Sequence, residues 1–174
     1  MDDSLAIQKC MAGDWEAFRH LVEKYQGRAV GHALAIVGNH EDALDAVQEA
    51  LLDAFRALVR FDQGRQFYPW LYTILRNRCF KLLASRGRLE VSSLEEIQTE
   101  ILAPASSLSP EELLALERAL LALSPEDREL ITLKSLDGLS YRELAQRLGI
   151  AEGTVMSRLY YARQRLREML TLVR

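Results

Sequence analysis

A chain of 174 residues accommodates one medium domain or two small ones, and leaves no room for a large enzyme core. Apolar residues make up 49% and charged residues 27%, with a net charge of −3, which excludes wholesale disorder. No run approaches the ~18 apolar residues of a membrane span, and MDDSLAIQKC lacks the basic-then-apolar order of a secretory signal, so a cytoplasmic location without membrane insertion is expected. Cys10 and Cys79 stand far apart with no metal-ligand spacing, which points to two idle thiols.

The charge is unevenly distributed. Residues 1–88 hold 12 Lys/Arg against 11 Asp/Glu, residues 89–122 hold 1 against 7, and residues 123–174 hold 9 against 7. The positive charge is bunched: Arg76, Arg78, Lys81, Arg86 and Arg88 follow one another without an acid, as do Arg158, Arg163, Arg165 and Arg167. Patches of this kind bind polyanions even on a mildly acidic protein.

Helical periodicity runs through the chain and no strand alternation appears. Asp14 is placed to cap a helix over 15–38, with Phe18, Leu21, Val22 and Tyr25 at spacings of three and four, and Gly38 and Asn39 to stop it with left-handed backbone. A second helix, from about His40 to Val59, gathers Ala43, Val47, Ala50, Leu51, Ala54, Phe55 and Leu58 on one stripe and Asp45, Gln48, Glu49 and Asp53 on the other. Such an acidic face is ordinarily solvated. After a turn at Phe61–Gly64 comes an aromatic helix from roughly Phe67 to Ser85. It interleaves Phe67, Tyr68, Trp70, Tyr72 and Phe80 with the basic run. Rings beside cations suit single-stranded nucleic acid, and they suit a helical core equally well.

Residues 86–108 are rich in Ser, Pro and Glu and read as a linker. Helix starts then crowd together: Ser109-Pro110, Ser124-Pro125, the capping box Ser140/Glu143, and Glu152. The segment YRELAQRLGIAEGTVMSRLYYARQRLRE has the form of a helix-turn-helix. Ala145 is small where two helices cross, Gly149 allows the turn, and Leu144, Leu148, Ile150, Val155 and Leu159 form a shared core. Thr154, Ser157 and Arg158, with Arg163 farther along, offer hydrogen bonds to phosphates and base edges. Nothing marks an enzyme: His20, His32 and His40 lack ligand spacing, and neither a phosphate loop nor a nucleophile turn occurs, so no cofactor or metal is expected.

LSPEDRELITLKSLDGLSYRELAQRLGIAEGTVMSRLYYARQRLRE closely resembles the C-terminal promoter-binding domain of bacterial RNA polymerase sigma factors, and EDALDAVQEALLDAFRALVRFDQGRQFYPWLYTILRNRC resembles their core-binding and melting domain. Together they cover residues 14–85 and 109–170 in the family's order, with only a linker between, as in the extracytoplasmic-function (ECF) group of the sigma-70 family. The resemblance implies an all-α fold of two small helical domains joined by a flexible linker: a region 2 domain over 1–88, an acidic linker over 89–108, and a region 4 helix-turn-helix over 109–174. It implies that Asp45, Gln48, Glu49 and Leu52 dock on the β′ clamp of core RNA polymerase. It implies that Arg65, Phe67, Tyr68, Trp70, Tyr72, Arg76, Asn77 and Lys81 open and hold the melted minus-ten strand, with the loop 62–66 capturing a flipped base. It implies that Thr154, Ser157, Arg158, Tyr161 and Arg163 read the minus-thirty-five duplex, and that an anti-sigma factor restrains the protein. An extended linker of about 20 residues reaches roughly 65 Å, comparable with about 60 Å of intervening duplex.

Departures from the family's pattern occur at Met156 and Tyr161, where basic residues are common, at Leu44, where an acid is common, and at Lys81, which replaces Asp or Asn. A helix-turn-helix repressor or response-regulator output domain would explain residues 124–170 but would leave Asp45–Glu49 and the aromatic helix without a role. A protein-binding adaptor would be indifferent to DNA.

Overall fold

The computed structural model describes residues 2–86 and 109–172, all of whose regular elements are helical. The expected linker over 89–108 lies outside them. The chain divides into two compact units, Met1–Glu100 and Ile101–Arg174.

The first unit opens with a helix that the periodicity argument passed over, α1 (Asp3–Met11), which buries Ala6, Ile7 and Cys10. Expected capping by Asp14 is absent. Its carbonyl, rather than its side chain, accepts a hydrogen bond from the Ala17 amide (3.2 Å), and residues Trp15–Ala17 wind as a 3₁₀ turn before α2 (Phe18–Val37). Gly38 ends α2 with φ +86° and donates to the Leu34 carbonyl. Asn39 does not share that left-handed conformation. It is extended, and its side-chain oxygen accepts from the Asp42 amide at 2.8 Å, so it starts the next helix instead of stopping the last.

That helix, α3 (His40–Ala57), finishes in a 3₁₀ turn over Leu58–Arg60. The expected stripe faces inward, with Ala43, Val47, Ala50, Ala54 and Leu58 buried and Leu51 and Phe55 half-buried. α4 (Phe67–Arg86) packs against both α2 and α3. Ala29, Ala33, Ala43 and Ala50 are at most 1% exposed where the three helices meet, and Leu75 and Cys79 of α4 fill the same core. Methyl-sized side chains let the backbones approach closely, so larger residues here would force the bundle apart.

The second unit is built from capped helices. Ser109 and Glu112 form a reciprocal capping box at α5 (Pro110–Leu121), and Ser124 accepts from the Asp127 amide at the start of α6 (Pro125–Ser135). Arg128, in the first turn of α6, is buried, and its guanidinium reaches back to donate to the carbonyls of Leu121 (3.0 Å) and Leu123 (2.7 Å). A buried cation is costly unless hydrogen-bonded, and here those bonds also satisfy carbonyls at a helix C-terminus. α7 (Tyr141–Leu148) and α8 (Glu152–Leu172) enclose Leu144, Val155, Leu159 and Ala162, all at most 1% exposed.

Gly149 joins these two helices with φ +68°, and a β-carbon there would meet no atom within 4 Å. Gly149→Ala therefore meets only the left-handed backbone penalty. It is expected to lower the free energy of unfolding by about 1 kcal/mol, with Gly149→Asn recovering part of the loss. Urea denaturation followed by circular dichroism measures both.

Candidate nucleic-acid and partner interface

On α3 the packing that buries the alanine stripe turns Asp45, Gln48, Glu49 and Leu52 outward, since spacings of three and four return to one helix face. All four are exposed, Leu52 to 48%, and Leu44 joins them. The face is not a free-standing block of negative charge. Arg78 of α4 reaches across to Asp53 (Nε–Oδ2 2.6 Å) and to Glu49 (Nη1–Oε2 3.6 Å). Arg86 likewise turns to α3, where it holds the buried carboxylate of Asp42 (Nη2–Oδ1 2.5 Å). The acid-free basic run of the sequence is thus divided in space, because α4 packs along an acidic neighbour. Arg78 and Arg86 hold helices together rather than standing on an open basic patch.

The rings of α4 divide too. Phe67, Tyr68 and Tyr72 are 2%, 4% and 1% exposed, so of the two roles open to such rings, stacking surface or helical core, these three fill the core. Tyr68 is held from several sides: its hydroxyl meets His32 Nδ1 at 2.5 Å, its ring stacks on Tyr25, and the Arg28 guanidinium lies 4.0 Å above it. Tyr72 packs edge-on against His32. Trp70 is half-buried, with its ring centroid 4.8 Å from Phe61 and 5.7 Å from Phe67. Arg76 lies over the Phe80 ring.

What α4 leaves accessible is a narrower stripe. Asn77 and Lys81 are exposed with Thr73, which the sequence reading missed although it lies one turn before Asn77. Immediately before α4 runs the loop 62–66, whose carboxylate Asp62 accepts from the Gly64 amide (3.0 Å) and pairs with the exposed Arg65 (3.4 Å).

In the second unit, the Ser140–Glu143 box fixes the start of α7, and Gly149 then turns the chain so that α8 presents its first three turns. Thr154, Ser157, Arg158 and Tyr161 are all exposed, and their i, i+3, i+4, i+7 spacing places them on one face. Arg163 does not share that face. Five residues beyond Arg158, it lies roughly 140° around the helix. There it lines a groove with Tyr141, Met156, Tyr160 and Arg167.

Residues 21–89 match the family model for Sigma-70 region 2, and residues 113–166 match that for Sigma-70, region 4. The chain is 35% identical over 176 residues to the ECF RNA polymerase sigma-E factor of Escherichia coli, an alignment covering 94% of this chain and 92% of that protein. It belongs to the ECF sigma factors. The RNA polymerase sigma-H factor of Pseudomonas aeruginosa is 32% identical over 174 residues, with 93% and 90% covered. Among solved structures, the sigma factor RpoE in complex with the anti-sigma factor NepR from Bartonella quintana matches with a TM-score of 0.74 and 31% identity, over 90% of this chain and 98% of that one. CnrH in complex with the cytosolic domain of CnrY matches with a TM-score of 0.68 and 28% identity, over 98% and 97%. The ECF factor thus directs promoter-specific transcription initiation by RNA polymerase. Among its described residues, no helix is long and apolar enough to cross a membrane.

Glu143 shows how the sigma factor's helix-turn-helix responds to acid. Hydrogen bonds from the Ser140 hydroxyl and then its amide hold the Glu143 carboxyl below the usual glutamate range. A carboxyl that ionises more readily when folded contributes its stabilisation above the unfolded value and loses it as pH falls through the folded one. α7 is therefore expected to fray at its N-terminus only below the ordinary glutamate range. An NMR titration of Glu143 checks this, and Ser140→Ala should return its midpoint upward toward the ordinary value.

Proposed function

We propose that the two units divide promoter recognition between them. The region 2 domain over 1–88 joins core RNA polymerase through Asp45, Gln48, Glu49 and Leu52, which meet the β′ clamp. The acidic residues then find basic partners, and Leu52 loses apolar surface to the interface. Arg78, bonded to Asp53 and near Glu49, orients that face.

The same domain holds the melted minus-ten strand along Trp70, Asn77 and Lys81. Arg65 and Arg76 neutralise phosphates, and the loop 62–66 takes a flipped base. The accessible part of the Trp70 ring offers a stacking surface, and an extruded base recovers there part of the few kcal/mol of unstacking. Phe67, Tyr68 and Tyr72 serve as the rigid backing of that surface, in keeping with their burial.

The region 4 domain over 109–174 places α8 in the major groove of the minus-thirty-five element. Thr154, Ser157, Arg158 and Tyr161 face the bases and backbone, and Arg163 lies on the flank. The acidic linker over 89–108 spans the two sites. Phosphodiester chemistry remains with the polymerase. An anti-sigma factor restrains this chain in the cytoplasm, close to the membrane where that factor is anchored. The complexes of RpoE with NepR and of CnrH with CnrY support such a partner.

The reading is carried by the coexistence, in one short chain, of an acidic-apolar face on α3, a ring-and-amide stripe on α4 and an exposed polar face on α8. A repressor needs only the last of these. Run-off transcription with core polymerase and genomic fragments from the source organism tests it: discrete products that require this chain are expected, and output equal with and without it would refute the reading. Arg158→Ala is expected to weaken binding to minus-thirty-five duplex by about tenfold, with Trp70→Ala within about twofold of the parent. Trp70→Ala should instead slow promoter opening, read by permanganate reactivity of unpaired thymines.

A further inference from the structure

α1 is unaccounted for by any of these roles, yet one of its ends reaches the apparatus assigned to strand opening through Tyr25 and the other touches it directly. At its start, Asp3 accepts from Lys24 (2.6 Å) and from the Tyr25 hydroxyl. Burial works against ionisation of Asp3, but those two hydrogen bonds, together with the neighbouring positive charge, hold the carboxyl below its usual range. The Tyr25 ring in turn lies 5.7 Å from Phe67 and 5.2 Å from Tyr68. Phe67 passes the contact on to Trp70 at 5.7 Å. An unbroken series of rings therefore joins a carboxylate on α1 to the partly buried indole.

The other end of α1 reaches the same place by a different route. Gln63, inside the loop 62–66, directs its side-chain amide to the Met11 sulfur at 3.1 Å. α1 also packs against the Leu58–Arg60 turn that leads into the loop. A nine-residue helix is about 13 Å long, so these two contacts tie the ring series and the loop to one rigid element. Trp70 stands in the first turn of α4, four residues past the end of the loop, so the two contacts with α1 brace both sides of that junction.

We propose that α1 is a positioning brace for promoter opening, in which Asp3 acts through Tyr25 and Phe67 on Trp70 while Met11 fixes the loop through Gln63. The proposal rests on the minus-ten role given to Trp70 and the loop. Asp3 touches no DNA. Its contribution is to remove freedom from groups that do, because a binding surface held in its productive geometry has less conformational entropy to lose when the strand arrives.

The test compares holoenzymes carrying the parent chain, Asp3→Ala, Asp3→Glu, Tyr25→Phe or Trp70→Ala. Opening is followed by permanganate reactivity on a double-stranded promoter, and run-off output is measured on the same promoter with its minus-ten region already mismatched into a bubble. Asp3→Ala and Tyr25→Phe should open the duplex about five- to tenfold more slowly. Both should match the parent on the bubble template and in affinity for core polymerase, and Asp3→Glu, which restores the carboxylate, should recover most of the rate. Tyr25→Phe keeps the ring and loses only the hydroxyl, with its bonds to Asp3 and Lys24, so it decides the matter should Asp3→Ala fail to fold. Parent-like opening by Tyr25→Phe, or an equal deficit on duplex and bubble, would overturn the brace. With Trp70→Ala slow in the same assay, that failure belongs to the brace alone. Parent-like opening by Trp70→Ala would instead remove the minus-ten assignment beneath it, and the brace with it.

Discussion

The close approach of α2, α3 and α4 across buried alanines is the constraint on which the first unit depends. Once Ala33, Ala43 and Ala50 are packed, the rotation of each helix about its axis is fixed, and so is everything each displays outward. Asp45, Gln48, Glu49 and Leu52 must then face away from the bundle, while α4 must bury Phe67, Tyr68 and Tyr72 and expose Thr73, Asn77 and Lys81. A one-residue slip of α4 would rotate it by about 100° and exchange buried rings for the polar stripe. Precision at the surface is thus inherited from small side chains in the core.

Charge plays a supporting part that the sequence order conceals. Arg78 and Arg86 come from a run without acids, yet each pairs with α3: Arg78 with Asp53 and Glu49, Arg86 with the buried Asp42. Partly exposed pairs of this type contribute modestly to stability, with the buried Asp42 the exception, because an unpartnered carboxylate there would carry a desolvation cost. Their larger effect is geometric. They align α3 with α4, so that the docking and strand-holding proposed for these helices would fall to one rigid body.

Much of this was legible in the amino-acid order. Ser109, Ser124 and Ser140 announce their helices because a hydroxyl followed by proline or by a glutamate three residues on has a local chemical meaning, and the structure forms each cap. Gly149 likewise needs no tertiary context. Less visible were features that depend on a distant partner. α1 is short and weakly patterned, and it is its packing on α2 and on the Trp15–Ala17 and Leu58–Arg60 turns, with the Asp3 bonds to Lys24 and Tyr25, that makes it a helix worth forming, although Ala6, Ile7 and Cys10 at one-and-three spacing were a usable hint. Asp14 looked like a cap, but the 3₁₀ turn that follows it leaves its side chain without that role. Which rings of α4 would be core could not be read from residue types, because a buried tyrosine and a stacking tyrosine are chemically the same until neighbours such as His32 and Tyr25 are known.

Every role proposed for the first unit requires that it engage core RNA polymerase. The most direct test of that engagement is titration of purified core RNA polymerase into the fluorescently labelled full chain. Saturable one-to-one binding that falls sharply when Gln48 and Glu49 are both replaced by alanine is the predicted result. A chain that stays unbound at saturating polymerase, or that binds equally well without those two side chains, would contradict it.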